Sequence, residues 1–325
     1  MHTPPVSRTV AASGLTKDYG GGAGVFDLDL EIERGSIVGF IGPSGSGKTT
    51  TIRMMTGVIA PDRGELMVLG ERPMSFTRDT RARIGYMPQH AILYPDLTLL
   101  ENLNFAASLY GVPYKRKERI AELVEFVQLE GRMDRLPREA SGGEKRRIML
   151  ASTFFHRPEL VFLDEPTAGI DPVLRRRFWD RFRELASDGR SLLVTTQYVG
   201  EAAYCDYVAV LANGEIVVVD TPEGLRHAAY GGEQIEVTFN SPPSSRHVSE
   251  LGRLVGLEDV EPEWVDSRTA RIVVDKPGEA IQAVTRWAEE NQVELEKSEA
   301  FQPEYDDVFV QLIAKYEGRE DADVD

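Results

Sequence analysis

The sequence contains a single cysteine, Cys205, and no long run of apolar residues. A lone cysteine excludes an internal disulfide framework, and the N-terminal residues lack the charged-then-apolar pattern of a secretory signal. A helix that crosses a bilayer needs about 20 consecutive apolar residues, whereas apolar segments such as 207–212 and 216–219 have only the length of strands. We therefore expect a cytoplasmic chain, and if it works at a membrane, another polypeptide must supply the membrane-spanning part.

Basic residues are scarce in the last part of the chain. Residues 1–232 hold 28 Lys and Arg against 30 Asp and Glu, whereas residues 233–325 hold 9 against 23. Neither part has the basic excess that attracts nucleic acid or anionic lipid, so we expect no nucleic-acid partner. The change in charge predicts a boundary between a first domain at 8–232 and an accessory domain at 233–318, followed by an acidic tail at 319–325.

Residues 42–49 read GPSGSGKT and match the phosphate-binding pattern G-x-x-x-x-G-K-[ST]. The match lies between a predicted strand at 36–41 and a predicted helix at 49–55, which is the context that the pattern requires. Glycines let backbone N–H groups surround phosphates, and a helix N-terminus favours anions. Lys48 is expected to reach the β- and γ-phosphates, and the Thr49 hydroxyl to bind Mg²⁺. The nucleotide-binding residues predicted here are Gly42, Pro43, Ser44, Gly45, Ser46, Gly47, Lys48, Thr49 and Thr50.

Two adjacent carboxylates, Asp164 and Glu165, follow the apolar stretch 160–163. Successive side chains of a strand point in opposite directions, so the two acids cannot share one role. Asp164 suits the Mg²⁺ shell, and Glu165 suits the polarisation of an attacking water. Taken alone, the segment fits equally well a buried strand that ends in a solvated acidic turn, and only its pairing with the phosphate-binding loop favours catalysis.

A second glycine-containing helix start lies at residues 141–145, which read SGGEK. Ser141 is a good N-cap residue, and Gly142 and Gly143 leave the helix end open to a phosphate. By itself this segment is an ordinary capped helix start.

Together with two further motifs, the order of these segments resembles that of the ATP-binding cassette (ABC) ATPases over about residues 8–228. Tyr19 matches the aromatic residue that stacks on adenine in that family, and Gln89 matches the Q-loop, which contacts nucleotide and metal. Residues 141–145 resemble the LSGGQ signature, and residues 165–171 match the end of the Walker B motif and the D-loop with Asp171. The resemblance implies an α/β fold with a P-loop, RecA-like core and a helical subdomain at about 90–155.

The sequence departs from the family pattern at two places. In the signature, Ala140 replaces the leading Leu and Glu144 replaces the usual Gln, which is tolerable because Ser141 and glycine backbone contact the phosphate. More importantly, Gln197 stands where most members have the switch histidine. A glutamine amide can donate a hydrogen bond to the γ-phosphate, but it cannot acquire charge, so a mechanism that needs an imidazolium is in doubt.

A closer similarity is to the daunorubicin-resistance branch of bacterial ABC exporters. It depends on Gln197, on residues 201–206, on the trailing domain and on the short motif 306–309. The similarity implies an ATP-binding and ATP-hydrolysing subunit that uses ATP and Mg²⁺. It also implies pairing with a second copy or a paralogous cassette, and attachment to the inner face of the membrane through an integral membrane permease.

Two rival functions have sequence features against them. A soluble ABC ATPase that acts on nucleic acid or the ribosome is disfavoured because the chain has one cassette, no long heptad run and no basic patch. A non-catalytic nucleotide-binding module is disfavoured because Lys48, Asp164 and Glu165 are all present.

The acidic C-terminal part has the predicted element order βαββαβ, which favours a small ferredoxin-like α+β domain. A final helix is predicted at 305–316, where the residues are also those of an ordinary amphipathic packing helix. Every nucleotide-binding motif ends before this part, so we expect an accessory domain for dimer bracing or regulation. A small-molecule sensor is the open alternative, because a fold alone does not determine function.

Overall fold

The computed structural model describes residues 8–113, 116–254 and 262–323. The chain divides into two compact units, with the boundary between Thr221 and Pro222. The change in charge balance predicts the boundary near 232 instead. The structure assigns the helix Pro222–Tyr230 to the second unit, where it packs against the last helix of the chain.

The first unit contains nine strands and six α-helices among its described residues. The strands are β1 (Arg8–Asp18), β2 (Gly24–Glu33), β3 (Ile37–Ile41), β4 (Arg63–Val68), β5 (Ile84–Met87), β6 (Leu160–Asp164), β7 (Ser191–Thr196), β8 (Tyr207–Ala212) and β9 (Glu215–Asp220). The α-helices are α1 (Lys48–Met55), α2 (Arg78–Ala82), α3 (Leu99–Leu109), α4 (Lys117–Phe126), α5 (Gly142–Phe154) and α6 (Pro172–Ser187). Short 3₁₀ turns lie at Pro73–Ser75, Pro137–Glu139 and Val199–Tyr204.

A six-stranded sheet in the order β5-β6-β7-β3-β8-β9 forms the centre of the first unit. All neighbouring pairs are parallel except the hairpin β8–β9 at one edge. Strands β3, β6 and β7 are buried at every position, as expected for a parallel sheet covered on both faces. The predicted α/β core is therefore confirmed, and the carboxyl ends of β3, β6 and β7 meet at one edge.

A second, antiparallel sheet in the order β2-β1-β4 packs against this core. Its strand β2 alternates buried and exposed residues, because one face covers the core while the other meets solvent. Strands β1 and β2 form an antiparallel hairpin across a glycine-rich turn at 20–22.

The single cysteine lies deep in the first unit, beneath β3. A Cβ atom added at Gly39 of β3 would lie 2.7 Å from the Cys205 sulfur, so the thiol fills the space that this glycine leaves. Burial raises the pKa of the Cys205 thiol far above its ordinary value, and the nearby Glu201 carboxylate adds to that effect. The thiol is therefore a small, inert packing group.

Helices α3, α4 and α5 fall within the stretch predicted to form a helical subdomain. Thr98 and Glu101 form a reciprocal capping box at the start of α3, and Ser141 and Glu144 form another at the start of α5. Local capping thus determines where both helices begin.

The second unit opens with α7 (Pro222–Tyr230) and continues with an antiparallel sheet in the order β11-β12-β10-β13. Its other elements are β10 (Glu233–Phe239), α8 (Ser245–Leu254), β11 (Glu263–Trp264), β12 (Thr269–Val274), α9 (Pro277–Glu290), β13 (Leu295–Phe301) and α10 (Tyr305–Asp323). Numbered within the unit, the sheet order is 4-1-3-2, which is that of a ferredoxin-like fold, as predicted. This unit has its own core, formed chiefly by Ile235, Val237, Leu251, Val284 and Trp287.

The last helix is longer than the sequence predicted. It continues from Tyr305 to Asp323, so the backbone of 319–323, assigned above to the acidic tail, is helical. Residues 324 and 325 of that segment lie outside the described residues.

Candidate active site

A cavity of about 230 Å³ lies at the carboxyl edge of β3, β6 and β7. Ten of the residues predicted from the sequence line it, and they come from five separate stretches of the chain. These residues are Tyr19, Ser44, Gly45, Gly47, Lys48, Thr49, Thr50, Gln89, Glu165 and Gln197. The fold therefore brings together the phosphate-binding loop, the Q-loop residue, the strand-end glutamate and the glutamine at the switch position.

The phosphate-binding loop connects β3 directly to α1. Gly45 and Gly47 have φ of 85° and 100°, a conformation that residues with a Cβ rarely adopt. At Gly42 the limit is space, because an added Cβ would lie 2.2 Å from the Leu211 carbonyl oxygen. These glycines let the loop wrap tightly around the N-terminus of α1, an end that favours phosphate binding.

The ammonium group of Lys48 is folded back onto the loop. Its Nζ donates hydrogen bonds of 2.8 Å to the carbonyl oxygens of Gly42 and Pro43. Burial lowers the pKa of Lys48, and the nearby Glu165 and Asp164 carboxylates oppose that shift. The side chain is thus a largely buried donor, held by backbone carbonyls that phosphate oxygens can replace.

Asp164 is buried at the end of β6 and has one carboxylate oxygen without a protein partner. Its Oδ1 accepts hydrogen bonds from the hydroxyls of Thr49, at 3.2 Å, and Thr195, at 2.6 Å. Its Oδ2 is buried and has no hydrogen-bond partner among the described residues. A buried carboxylate beside a threonine hydroxyl is an oxygen donor set suited to Mg²⁺, so Thr49 and Asp164 fit the metal predicted from the sequence.

Glu165 projects into the cavity, whereas the preceding Asp164 lies beneath it. Its backbone is in the left-handed region, with φ of 52°, and its N–H group donates to both the carbonyl and hydroxyl oxygens of Thr195. A non-glycine residue in this conformation persists only where surrounding contacts enforce it. The strand end therefore turns sharply and points the two acids in different directions.

Gln197 is hydrogen-bonded to Glu165 itself. Its amide Nε2 donates to Glu165 Oε1 across 2.6 Å. From the sequence alone, this amide is expected to donate to the γ-phosphate. Its observed partner is the carboxylate expected to activate water, so Gln197 is also placed to orient that carboxylate.

Tyr19 and Gln89 lie at the rim of the cavity. Tyr19 is 54% exposed, with Lys17 Nζ 5.9 Å from its ring centroid, so one face remains available for stacking. The backbone carbonyl of Gln89 accepts a 2.8 Å hydrogen bond from Arg146 of α5. Gln89 is thus anchored to α5, whereas the Tyr19 ring remains exposed at the rim.

The signature and D-loop residues do not line this cavity. Ser141 caps α5, and its hydroxyl accepts a hydrogen bond from the Glu144 N–H group. Asp171 caps α6 in the same way, through Leu174. A Cβ atom added at Gly142 would meet nothing within 4 Å, and one at Gly143 only the Gly169 carbonyl oxygen at 3.8 Å. Within the chain there is therefore space for a side chain at both positions, and packing does not explain why they are glycines.

Glu144, which replaces the usual signature glutamine, is neutralised locally. Its carboxylate is hydrogen-bonded to Arg132 and lies 3.7 Å from Arg135. The Arg132 hydrogen bond and the Ser141 backbone N–H lower the pKa of Glu144 to about 2. The charge of this carboxylate is therefore balanced by arginines of the same subunit. The substitution adds no unpaired negative charge at the start of the signature helix.

Two residues with direct roles in this geometry were missed by the sequence analysis. Thr195 contacts both Asp164 and Glu165, and Arg146 contacts the backbone on both sides of the cavity. For Thr195 a signal existed, because the polar pair Thr195 and Thr196 follows the apolar run 192–194. For Arg146 there was none, since its partners are backbone carbonyls of distant segments.

Among the described residues, no cluster of three or more His, Cys, Asp and Glu side chains could hold a metal ion without further ligands. Within the same ranges, no helix combines the length and apolar character needed to cross a membrane.

Comparison with known proteins gives a consistent family. The sequence profile described as "ABC transporter" matches residues 25–168. The chain is 34% identical to the daunorubicin/doxorubicin resistance ATP-binding protein DrrA of Streptomyces peucetius, over 96% of this chain and 94% of that protein. It is 36% identical to Nod factor export ATP-binding protein I of Ralstonia nicotianae, over 73% of this chain and 74% of that protein.

A third relative is longer than this chain. The probable multidrug ABC transporter ATP-binding protein YbhF of Escherichia coli is 34% identical over 74% of this chain, but the match spans only 42% of YbhF.

Solved structures give the same result. An ATP-binding subunit of an ABC transporter matches with a TM-score of 0.63 and 30% identity, over 68% of this chain and 92% of that one. The ATP-binding cassette MJ0796, solved as a dimer in a post-hydrolysis state with ADP and Pi, matches with a TM-score of 0.59 and 25% identity, over 65% of this chain and 98% of that one. With the cavity described above, these matches show that the chain belongs to the ABC transporter family, as an ATP-binding subunit similar to those of exporters.

Proposed function

We propose that this chain hydrolyses ATP as one of two cassettes that drive an integral membrane exporter. The observation that carries the proposal is the convergence of Lys48, Glu165 and Gln197 on one cavity, with Asp164 directly beneath it. The relatives named for daunorubicin resistance and Nod factor export support the exporter assignment.

Each group has a distinct chemical role. Backbone N–H groups of the loop and Lys48 bind the phosphates, and Tyr19 offers a ring face to the base. The Glu165 carboxylate accepts a hydrogen bond from the attacking water and orients it toward the γ-phosphorus. Gln197 holds that carboxylate and donates to the transferring phosphoryl group when the nucleotide is bound.

The proposed Mg²⁺ site lies beneath the nucleotide cavity. Thr49 and Asp164, with Gln89 at the rim, are the residues that would hold Mg²⁺. When bound, the ion supplies positive charge that offsets the charge of the phosphate oxygens.

A second cassette completes the site. Ser141, Gly142 and Gly143 form a largely exposed helix N-terminus outside the chain's own cavity, and a Cβ atom added at either glycine would have space within the subunit. Such an end binds anions. We therefore assign it to the γ-phosphate held by a partner cassette, so that two subunits share two sites.

The cross-subunit contact predicts the effect of Gly142→Asp. The new side chain has space within the subunit, but its carboxylate would face the phosphate of the partner. ATP hydrolysis is expected to fall at least about tenfold, the effect of roughly 1.4 kcal/mol of like-charge repulsion, while ATP affinity of the isolated subunit stays within about twofold. Steady-state ATPase rates and equilibrium ATP binding are the measurements.

Gly278→Asp is the matched control, because Gly278 also lies in the first turn of a helix, α9, with nothing within 4 Å of an added Cβ. Hydrolysis by the control should match that of the unmodified chain. Equal rates for Gly142→Asp and the unmodified chain would contradict the shared-site proposal.

The docking surface for the membrane partner is expected near the Q-loop. Ile92 and Tyr94, just after Gln89, are 77% and 52% exposed. Tyr94 packs edge-to-face against Phe105 of α3, with ring centroids 4.6 Å apart. The same helix ends at Leu109 beside a half-open cavity of about 380 Å³ lined mainly by apolar side chains. Apolar anchors beside a cavity are suited to receive a helix of a partner.

Ile92→Asp or Tyr94→Asp is expected to abolish co-purification with the membrane subunit and to lower transport at least about tenfold. Basal ATPase activity should stay within about twofold, because neither side chain lines the nucleotide cavity. Val219→Asp, at an exposed apolar position on β9, is the control. If both docking variants still co-purify and transport as the unmodified chain does, this surface is not the docking site.

The second unit is proposed to be accessory. It has its own core and contains none of the nucleotide-binding residues. Its acidic composition opposes binding of a phosphate-rich ligand. Dimer bracing or regulation is therefore its proposed role, with a small-molecule sensor as the alternative.

A further inference from the structure

We propose that Arg146 is a positioning residue that joins the Q-loop to the catalytic glutamate and the D-loop. The inference rests on the proposed ATPase function, because it concerns how the residues of that site are held. Arg146 lies in the second turn of α5, the helix that begins with the signature residues.

The guanidinium group of Arg146 bonds three backbone carbonyls from two segments. One terminal nitrogen donates to the Glu165 carbonyl at 2.7 Å and to the Ala168 carbonyl at 3.0 Å. The other donates to the Gln89 carbonyl at 2.8 Å. The forked, permanently charged donor set of arginine suits this geometry, and neither lysine nor glutamine can reproduce it.

The hydrogen bond from Arg146 is the last of three contacts that hold Glu165, whose backbone is strained. Its N–H group is held by Thr195, its carboxylate by Gln197, and its carbonyl by Arg146. A left-handed φ of 52° needs such enforcement from outside the residue. Without Arg146, the peptide after Glu165 can rotate, and the carboxylate loses its fixed direction toward the attacking water.

The contact with Gln89 links the same helix to the segment just before the proposed docking residues. A second contact supports this link, because the Ile92 N–H group lies 3.1 Å from the Met149 sulfur on α5. Movement of the Q-loop is therefore transmitted through the Arg146 side chain to the peptides at 165 and 168. This connection provides a physical route by which the state of the membrane partner can reach the hydrolytic carboxylate.

The next residue provides a matched control. Arg147 also lies on α5, is also partly buried, and also donates to two backbone carbonyls, those of Val127 and Gln128 at 3.0 and 2.9 Å. Its partners belong to the loop after α4 and are not part of the cavity. Arg146→Ala and Arg147→Ala therefore remove similar bonds, but only the first removes bonds to the site.

The experiment compares Arg146→Ala, Arg146→Lys and Arg147→Ala in the full-length chain. We expect Arg146→Ala to lower kcat for ATP hydrolysis at least about tenfold with KM for ATP within about twofold. Arg146→Lys, which reaches one segment but not both, should recover less than half of the loss in kcat. Arg147→Ala should retain kcat within about twofold, even if its thermal stability falls as far as that of Arg146→Ala.

Hydrogen–deuterium exchange provides a readout that does not depend on turnover. A non-hydrolysable ATP analogue with Mg²⁺ should slow exchange in peptides covering 84–95 and 163–171 in the unmodified chain and in Arg147→Ala. In Arg146→Ala, the 163–171 peptide should lose at least half of that protection.

Equal kcat and equal protection in the two alanine variants would overturn the inference. A chain that neither hydrolyses ATP nor gains protection in its unmodified form would instead overturn the proposed function, so the two failures are distinguishable.

Discussion

Glu165→Gln is expected to slow ATP hydrolysis at least about 100-fold, the usual scale for loss of an acid–base group. The amide has the shape of the carboxylate, and its carbonyl oxygen can still accept the Gln197 hydrogen bond seen at 2.6 Å. The geometry of the site should therefore survive while the ability to activate water is lost. MgATP affinity should remain within about twofold, and ATP-bound dimers should accumulate because they are no longer consumed. Single-turnover hydrolysis, ATP binding and light scattering measure these three quantities.

Glu159→Gln controls for the loss of one negative charge near the same strand. Glu159 directly precedes β6 and pairs with Arg83 at the surface, away from the cavity. Its replacement should leave turnover unchanged. Near-normal turnover of Glu165→Gln would remove Glu165 from the mechanism.

Gln197→Ala is the second change with a large expected effect. If the amide donates to charge that develops in the transition state, its removal raises the barrier by roughly 2.7 to 4 kcal/mol, or about 100- to 1,000-fold in kcat. Gln197→His should retain activity, because an imidazole can donate a similar bond. The ratio of kcat values is the measurement, and turnover of the alanine variant equal to that of the unmodified chain would show that Gln197 has no part in hydrolysis.

Removal of Gln197 can lower kcat in a second way, because the Gln197 amide also holds the Glu165 carboxylate. A double-mutant cycle distinguishes the two roles. If Gln197 acts only by orienting Glu165, adding Gln197→Ala to Glu165→Gln should cost little more. If it also donates to the phosphoryl group, the double variant should be at least about tenfold slower than Glu165→Gln.

The fold and much of the cavity could be predicted because their determinants are local in sequence. The phosphate-binding loop is one continuous stretch whose glycines are required by its own backbone conformation. The element order of the second unit follows from alternating and helical periodicity, and the sheet order agrees with it. The sequence therefore sufficed to place the residues of this loop at the cavity.

The contacts between segments could not be predicted. The Gln197–Glu165 hydrogen bond and the three carbonyls held by Arg146 join parts of the chain that meet only after the parallel sheet has formed. Composition did not locate the domain boundary either. The charge balance changes only after α7, whereas α7 packs against α10 and so belongs to the second unit.

Because Cys205 is buried, its reaction with an alkylating reagent can measure local opening of the first unit. The thiol is the only one in the sequence, is 7% exposed, and lies against Gly39 in the strand that leads into the phosphate-binding loop. An alkylating reagent can reach it only when Cys205 and β3 move apart, so the alkylation rate reports the free energy of that local opening. A nucleotide that binds only the closed form must slow alkylation, and the rate falls in step with the fraction of protein that has nucleotide bound. The rate thus gives a binding isotherm without any added label.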